Sequence, residues 1–536
     1  MLDFELPELT KKQAPAFISL ETCRSWLDKQ PLANPAQTQA ALLAQLNLLN
    51  RYAIPVGERL KILELMRAPI DFVQNQLTRK FYGRPLPLDE TEQAVFDANR
   101  ALWQALCMGF QHCLAACCMT DEATPKGQAA LIGQRALSTL AAEQRDLLGA
   151  AHEPDTTYWR RLNSIYAAAE KLGVTEEAVA DPMQPERSDL SVRTEYIHPI
   201  LMHAASPYEL TARQVSFTQR WLQRWGVKVR LLTTAPDDFS DTPLGIDIAA
   251  DRPASTAPEA AKTLRWIEVS GLAHSLKKRI VALQRGAAPA TLQLGEDCAQ
   301  PGCEALLKHI LQHACKGGLS RAENRHPRPG SSRAVSGFQA IHYYISGAAF
   351  QQPLQAQELS QKHYDELATF GHIATRVADD YSKQQGYQVE EWQLIDHSAN
   401  GLQLCRPLRQ QGARIGVGSL LAVCPAGAPD FLLAAARWVM ISNKEQLHIG
   451  VMVFPGAPKP LAAHCVGLSA DREKFQPAFL LPAVPALQQA ATVIVPASWY
   501  RAGRIIELYD EKLVPLRLTR LLQRGSDFER AEFENV

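Results

Sequence analysis

The stretch YQVEEWQLIDHSANGLQLC, residues 387–405, decides the fold of the C-terminal part of this 536-residue chain. Tyr387 to Ile395 and Gly401 to Cys405 have strand character, and the polar Asp396-His397-Ser398-Ala399-Asn400-Gly401 between them has the composition of a turn. Working outward, short strands are predicted at Ala340 to Ile345, Ser419 to Val423, Ala434 to Ile441 and Gln446 to Phe454, with Gly and Pro between them. That pattern points to a small antiparallel barrel. A helical insertion is expected at about 355–383, between the first two strands. After Phe454 a Pro- and Ala-rich stretch leads into a further β-like region, with strands predicted at Arg504 to Leu508 and Leu513 to Leu518.

Upstream the period changes. From about Leu20 to Ala180 apolar residues recur at three- and four-residue spacing, as at Leu42, Leu46 and Leu49, which is the signature of helices. Breaks at Pro31 and Pro35, at Pro55, at Gly83 to Pro87 and around Pro125 to Gly127 divide this stretch into five or six helices. The composition shifts near Asp181-Pro182-Met183-Gln184-Pro185. Val227 to Leu232 and Leu244 to Ile248 then predict short strands, and Ser270 to Leu283 and Cys303 to Cys315 predict helices, the second stopping at Gly317-Gly318. The fold class is multidomain α+β. It comprises an α-helical domain over 1–185, a mixed α/β middle domain over 186–320, an antiparallel β-barrel over 321–455 and a β-rich extension over 456–536.

Composition excludes some functions. Lys plus Arg equal Asp plus Glu at 56 each, so net charge directs the chain to neither nucleic acid nor an anionic membrane, and an anion site has to be local. The runs Phe431 to Ala436 and Ala478 to Val495 fall short of the ~20 apolar residues that span a bilayer. With no secretory pattern at MLDFELPELTKKQ, the expectation is a cytoplasmic protein without membrane insertion. Eleven cysteines without a C-x-x-C pair suggest reduced, mostly buried thiols.

One constellation carries chemistry. Arg321-Ala322-Glu323-Asn324-Arg325, with Arg328 and Arg333 after it in a predicted loop with Pro327, Pro329 and Gly330, precedes the barrel, and Asp396-His397-Ser398-Ala399-Asn400-Gly401 ends a strand on it. Arginines four apart are common here, as at Arg220 with Arg224 and Arg520 with Arg524, and an isolated D-x-S-x-x-G is an ordinary polar turn. The pattern occurs only at Asp396, however, and it follows an arginine cluster within a barrel. Together the two motifs resemble those of the PilZ family, R-x-x-x-R leading into the barrel and [D/N]-x-S-x-x-G on its surface. Arg437-Trp438-Val439 and the strand ending Gly450-Val451-Met452-Val453-Phe454 resemble that family as well.

The resemblance covers about 321–454 and implies a receptor for cyclic di-GMP. Arginine suits such a ligand, since guanidinium makes forked hydrogen bonds to phosphate or to guanine O6 and N7 and stacks on a base. It implies that Arg321 and Arg325, then Arg328, contact the dinucleotide, with Arg333 an alternative. Asp396 and Ser398 would hydrogen-bond a guanine that Gly401 lets approach closely. Arginines on one loop repel when empty, so a doubly anionic ligand can order that loop. A protein partner is expected to read the change through the helical domain. The separation of Arg325 from Asp396, about seventy residues, exceeds the family's usual spacing.

Two rival readings belong to other classes. One is a nucleotide-free PilZ-like scaffold in envelope, pilus or motility machinery. The other is a metal-dependent enzyme built on His309 and His313, a helical H-x-x-x-H pair flanked by Cys303 and Cys315. That spacing follows no known metal pattern, and His112 with Cys113, Cys117 and Cys118 reads as helix core. With no P-loop, G-x-S-x-G or G-x-G-x-x-G, neither catalytic residues nor a metal or cofactor are predicted. Lys277, Lys278 and Arg279 read as a solvated helix face.

Overall fold

The computed structural model describes residues 4–119, 127–236, 244–317, 326–353, 385–398, 400–466 and 474–536, and for 326–329 the backbone alone. Two compact units emerge. One takes in Met1–Arg84 and Leu88–Ala322, the other Pro85–Pro87 and Glu323–Val536.

In the first unit the predicted breaks at Pro31 to Pro35, Pro55 and Gly83 to Pro87 separate α1 (Leu20–Leu27), α2 (Pro35–Leu49), α3 (Val56–Thr78) and α4 (Glu90–Met119). Helices α5 (Ala129–Gly149) and α6 (Thr156–Lys171) follow, parted at 150–155 where no break is predicted, and most of the break expected at 125–127 lies outside the described residues. Ser19, Asn34 and Asp155 cap α1, α2 and α6 by accepting backbone N–H groups. Among the described residues α4 alone is long and apolar enough to cross a membrane, and 67% of its most apolar window is buried. It packs on α2, α3, α5 and α6. Buried amides fix that packing, with Gln39 Nε2 donating to Gln74 Oε1 at 2.7 Å and to Asn99 Oδ1 at 2.6 Å. A buried polar group that finds its partners specifies one arrangement of the core.

The same unit continues through α7 (Val192–Ala204) and α8 (Ala212–Trp225) into a three-stranded antiparallel sheet of order β1-β3-β2. Its strands are β1 (Arg230–Leu232), β2 (Leu244–Asp247) and β3 (Leu264–Glu268). Helix α9 (Ser270–Gln284) and α10 (Gly302–Ile310) follow, and α10 runs on as a π-helical turn over Leu311–Cys315. The mixed region is tied to the helices, since Arg265 Nη2 pairs with Glu170 Oε2 at 2.6 Å and Asn163 Nδ2 donates to Ala250 O at 2.8 Å. Cys298 and Cys303 form a disulfide, correcting the expectation of thiols throughout, while seven of nine free cysteines are buried.

The second unit holds two closed six-stranded antiparallel barrels. The first contains β4 (His326–Ser336), β5 (Glu390–His397), β6 (Gly401–Pro407), β7 (Leu420–Pro425), β8 (Leu432–Ser442) and β9 (Gln446–Val453), in the order β4-β5-β6-β9-β8-β7. The second contains β10 (Lys459–Cys465), β11 (Gln476–Leu481), β12 (Thr492–Pro496), β13 (Ile505–Asp510), β14 (Lys512–Arg524) and β15 (Phe528–Asn535), in the order β10-β11-β12-β15-β14-β13. The β-like region after Phe454 is thus a barrel in its own right. The two share apolar core, with Val335, Leu420, Leu433 and Phe454 meeting Phe479, Leu481, Ile494 and Phe528. Leu420 N donates to Asp527 Oδ1 at 2.9 Å, and Ser526 N to Gly418 O at 2.9 Å.

One expectation is overturned. Ala340 to Ile345 is not a strand but the centre of α11 (Phe338–Ser346), begun after Gly337 at φ 87° and ended by Gly347 at φ 71°. Ala340, Ile341, His342 and Tyr343 are buried in succession rather than alternately. A short apolar run of that kind fits either element by periodicity. The first barrel strand lies earlier, over residues expected to be loop because of Pro327, Pro329 and Gly330. The insertion expected at 355–383 lies outside the described residues.

Candidate functional site

Strand β5 lies within the predicted strand and alternates: Glu390, Trp392 and Leu394 are buried while Glu391 and Gln393 are exposed. Beneath the strand, Arg406 is 1% exposed. Its Nε stands 3.5 Å from Glu390 Oε2, its Nη2 donates to Ala413 O at 3.1 Å, and its guanidinium lies 5.0 Å from the Trp392 ring. Glu390 Oε1 accepts from Ala413 N at 2.6 Å, so both charges have partners inside the barrel wall.

At the far end of β5 the motif residues come together. Ser398 N donates to Gly401 O at 2.8 Å, closing the turn into β6, and Val453 N on β9 donates to Asn400 O at 2.9 Å. A Cβ on Gly401 would sit 3.3 Å from Val451 O and 3.4 Å from Ser398 Oγ, so a side chain there crowds the serine hydroxyl. On its two flanks Asp396 faces Pro327 of β4 and Gln403 of β6. Both pairings shift register beside Asp396. The β4 ladder jumps from Pro327↔Asp396 to Gly330↔Leu394, and the β6 ladder from Asp396↔Gln403 to Leu394↔Leu404. Arg328 and Pro329 thus stand against Ile395 alone. Such a bulge suits a proline, which has no N–H for the ladder, and re-aims the chain beside a site.

Of the predicted residues, the β4–β5 register puts the backbone of Arg328 against Ile395, next to Asp396, with Ser398 and Gly401 in the turn that follows; Arg321 and Arg325 lie outside the described residues. Arg333 does not join them. It pairs with Glu391, five residues or about 16 Å along the strand from Asp396. Its Nη2 contacts Cys424 Sγ at 3.3 Å, and its guanidinium lies 5.4 Å from the Phe431 ring. Gln403 is the neighbour the sequence reading missed, since its place opposite Asp396 depends on a bulge that no local pattern announces.

A second polar region lies in the first unit, where cavities of about 580 and 700 Å³ open along α9. Lys228, Lys278 and Arg279 line the first, and among the described residues no acidic side chain does. Lys228 Nζ donates to Ser275 Oγ at 2.7 Å, and Arg279 Nε donates to Leu292 O at 3.0 Å with its guanidinium 4.2 Å from the Trp225 ring. Burial, then Arg279 and Lys278, pull the Lys228 ammonium below its ordinary range.

A helical and mixed α/β region followed by two closed antiparallel barrels defines a multidomain α+β protein. Two domain models of one family match it: "Cyclic-di-GMP receptor FimW, N-terminal domain" over residues 21–237 and "FimW C-terminal beta-barrel domain" over 461–536. Together they cover more than half of the chain and flank the first barrel. Over these two segments the chain is similar to the FimW family. It is 23% identical to the cyclic-di-GMP receptor FimW of Pseudomonas aeruginosa, in an alignment covering 90% of this chain and 85% of that protein.

Proposed function

We propose that this chain is a receptor for cyclic di-GMP and that it binds the dinucleotide on the first barrel, which we take to be of the PilZ type. The observation that carries this reading is the register of β4 on β5. It puts Pro327, which follows the arginine pair in the chain, opposite Asp396 at the start of the D-x-S-x-x-G turn, and so supports a shared site for the two motifs. Arg321, Arg325 and Arg328 supply guanidinium forks for phosphates and guanine faces, and Asp396 and Ser398 supply acceptors for a guanine edge. The reading is of binding without catalysis, in the cytoplasm, with the helical domain passing the signal to a protein partner.

Calorimetric titration of cyclic di-GMP into the wild-type chain and into Arg325→Ala tests this, with GTP as the control for general anion binding. Binding of the dinucleotide but not of GTP, lost in the variant, is the expected result. No binding at high micromolar dinucleotide would sink the reading and favour the nucleotide-free scaffold.

A further inference from the structure

The H-x-x-x-H pair read from the sequence acquires a third partner only in three dimensions. The turn Pro207–Glu209, about a hundred residues upstream, brings Glu209 to His309 and His313, and one ligand atom from each lies within 4.8 Å of the others. All three side chains are half-buried. Each imidazole also has a partner at one nitrogen. His309 Nε2 donates to Ala205 O at 2.8 Å, which fixes the tautomer and leaves the Nδ1 lone pair available. His313 Nδ1 lies 2.9 Å from Ser206 Oγ, and donation to that oxygen leaves the Nε2 lone pair available. Metal-bound histidines are characteristically anchored in this way, the second ring nitrogen donating to a carbonyl or another oxygen.

Two backbone irregularities fall on these same residues. Ser206, which meets His313, has φ 49° and ψ 58°, a left-handed conformation that costs a non-glycine residue free energy. His313 itself stands in the π-helical turn Leu311–Cys315, and single π turns concentrate at functional sites. The carbonyl that His309 holds belongs to Ala205, the C-cap of α7, so a plain helix-end tie explains one of these contacts. It explains neither the carboxylate nor the second histidine.

We infer that Glu209, His309 and His313 form a binding site for a zinc-type divalent ion, with a fourth position open to water. Two imidazoles and a carboxylate are the donor set of a three-residue zinc site. Ligands about 2 Å from zinc in a tetrahedron stand about 3.3 Å apart, so the three close by no more than about 1.5 Å on binding. The ion would pin the turn after α7 to the end of α10.

The test is equilibrium dialysis of the full chain against Zn²⁺, with reactive thiols first alkylated, alongside Co²⁺ absorption to report the ligand type. The expected result is one equivalent bound after alkylation, with a nitrogen and oxygen rather than a thiolate spectrum. Affinity should fall about tenfold or more in Glu209→Gln and in His313→Ala. Because Glu209→Gln keeps shape and size, its metal-free melting temperature should match the wild type. No binding by the alkylated wild type overturns the site, and so does binding that both variants retain.

Discussion

Pro327 and Asp396 stand opposite each other across the β4–β5 pair, and the register slips immediately beyond them, two residues of β4 passing one of β5. A segment that cannot continue a regular ladder is thereby held against the strand end that carries the D-x-S-x-x-G turn. If that juncture is the dinucleotide site, its residues separate cleanly from arginines elsewhere on the same strand.

Asp396→Ala should therefore weaken cyclic di-GMP binding about tenfold or more, the worth of one hydrogen bond to a charged group. Arg333→Ala, about 16 Å along the strand, should leave affinity within about twofold. Calorimetry with both variants checks the contrast, and equal losses would contradict the placement.

Gly401→Val should weaken the same binding without unfolding the barrel, since the added side chain meets Ser398 Oγ and Val451 O at the surface turn. A cooperative melt like that of the wild type, together with weaker dinucleotide binding, is the expected outcome.

Arg406 and Glu390 should prove structural. Removing one member of a buried pair leaves the other charge uncompensated, so Arg406→Ala should cost about 3–5 kcal/mol. Denaturant unfolding followed by Trp392 fluorescence would report it, because that indole lies against the guanidinium.

At the junction of the barrels a Cβ on Gly525 would lie 2.4 Å from Gly418 O and 2.3 Å from Phe528 Cε1. Gly525→Ala should destabilise the second unit by about 1–3 kcal/mol through overpacking. By contrast Gly57→Ala, in the first turn of α3 with nothing within 4 Å, should be neutral or slightly stabilising. Thermal melts of the pair distinguish a junction under contact from a helix with room to spare.

Acid should weaken the first unit. Burial pushes His112, His152, His198 and His203 down to about 4, with Arg59, Arg100 and Arg187 adding to it at the first three. The unfolded chain binds these protons first, so the stability they allow is present above about pH 6.5 and is lost as pH falls towards about 4. Each contributes a slope of up to about 1.4 kcal/mol per pH unit in that window. Glu195 opposes them, since burial raises its carboxyl to about 7 and its term declines as pH rises from 4.5 to about 7. Four groups against one give a melting temperature that falls on acidification below about pH 6.5. His203→Phe should flatten that fall.

What the sequence determined by itself is what short-range chemistry controls. Pro35 opens α2, Pro55 caps the start of α3 and the Gly83–Pro87 stretch lies between α3 and α4, so those helix divisions were legible. The strand character of Tyr387 to Ile395 and the polar run at Asp396 marked a strand and its turn. What only the tertiary structure decided depends on partners far along the chain. A strand at His326–Ser336 contradicts the local preference of its two prolines and exists because β5 and β7 pair with it. Ala340 to Ile345 took the helical alternative because all its apolar residues, not every second one, are covered by the two barrels. Closure of the second barrel rests on β10 meeting β13 and β12 meeting β15, and Glu209 reaches His309 and His313 across a hundred residues. Local propensity is a fraction of a kcal/mol per residue, whereas burial and pairing contribute several, so where they disagree the distant contacts prevail.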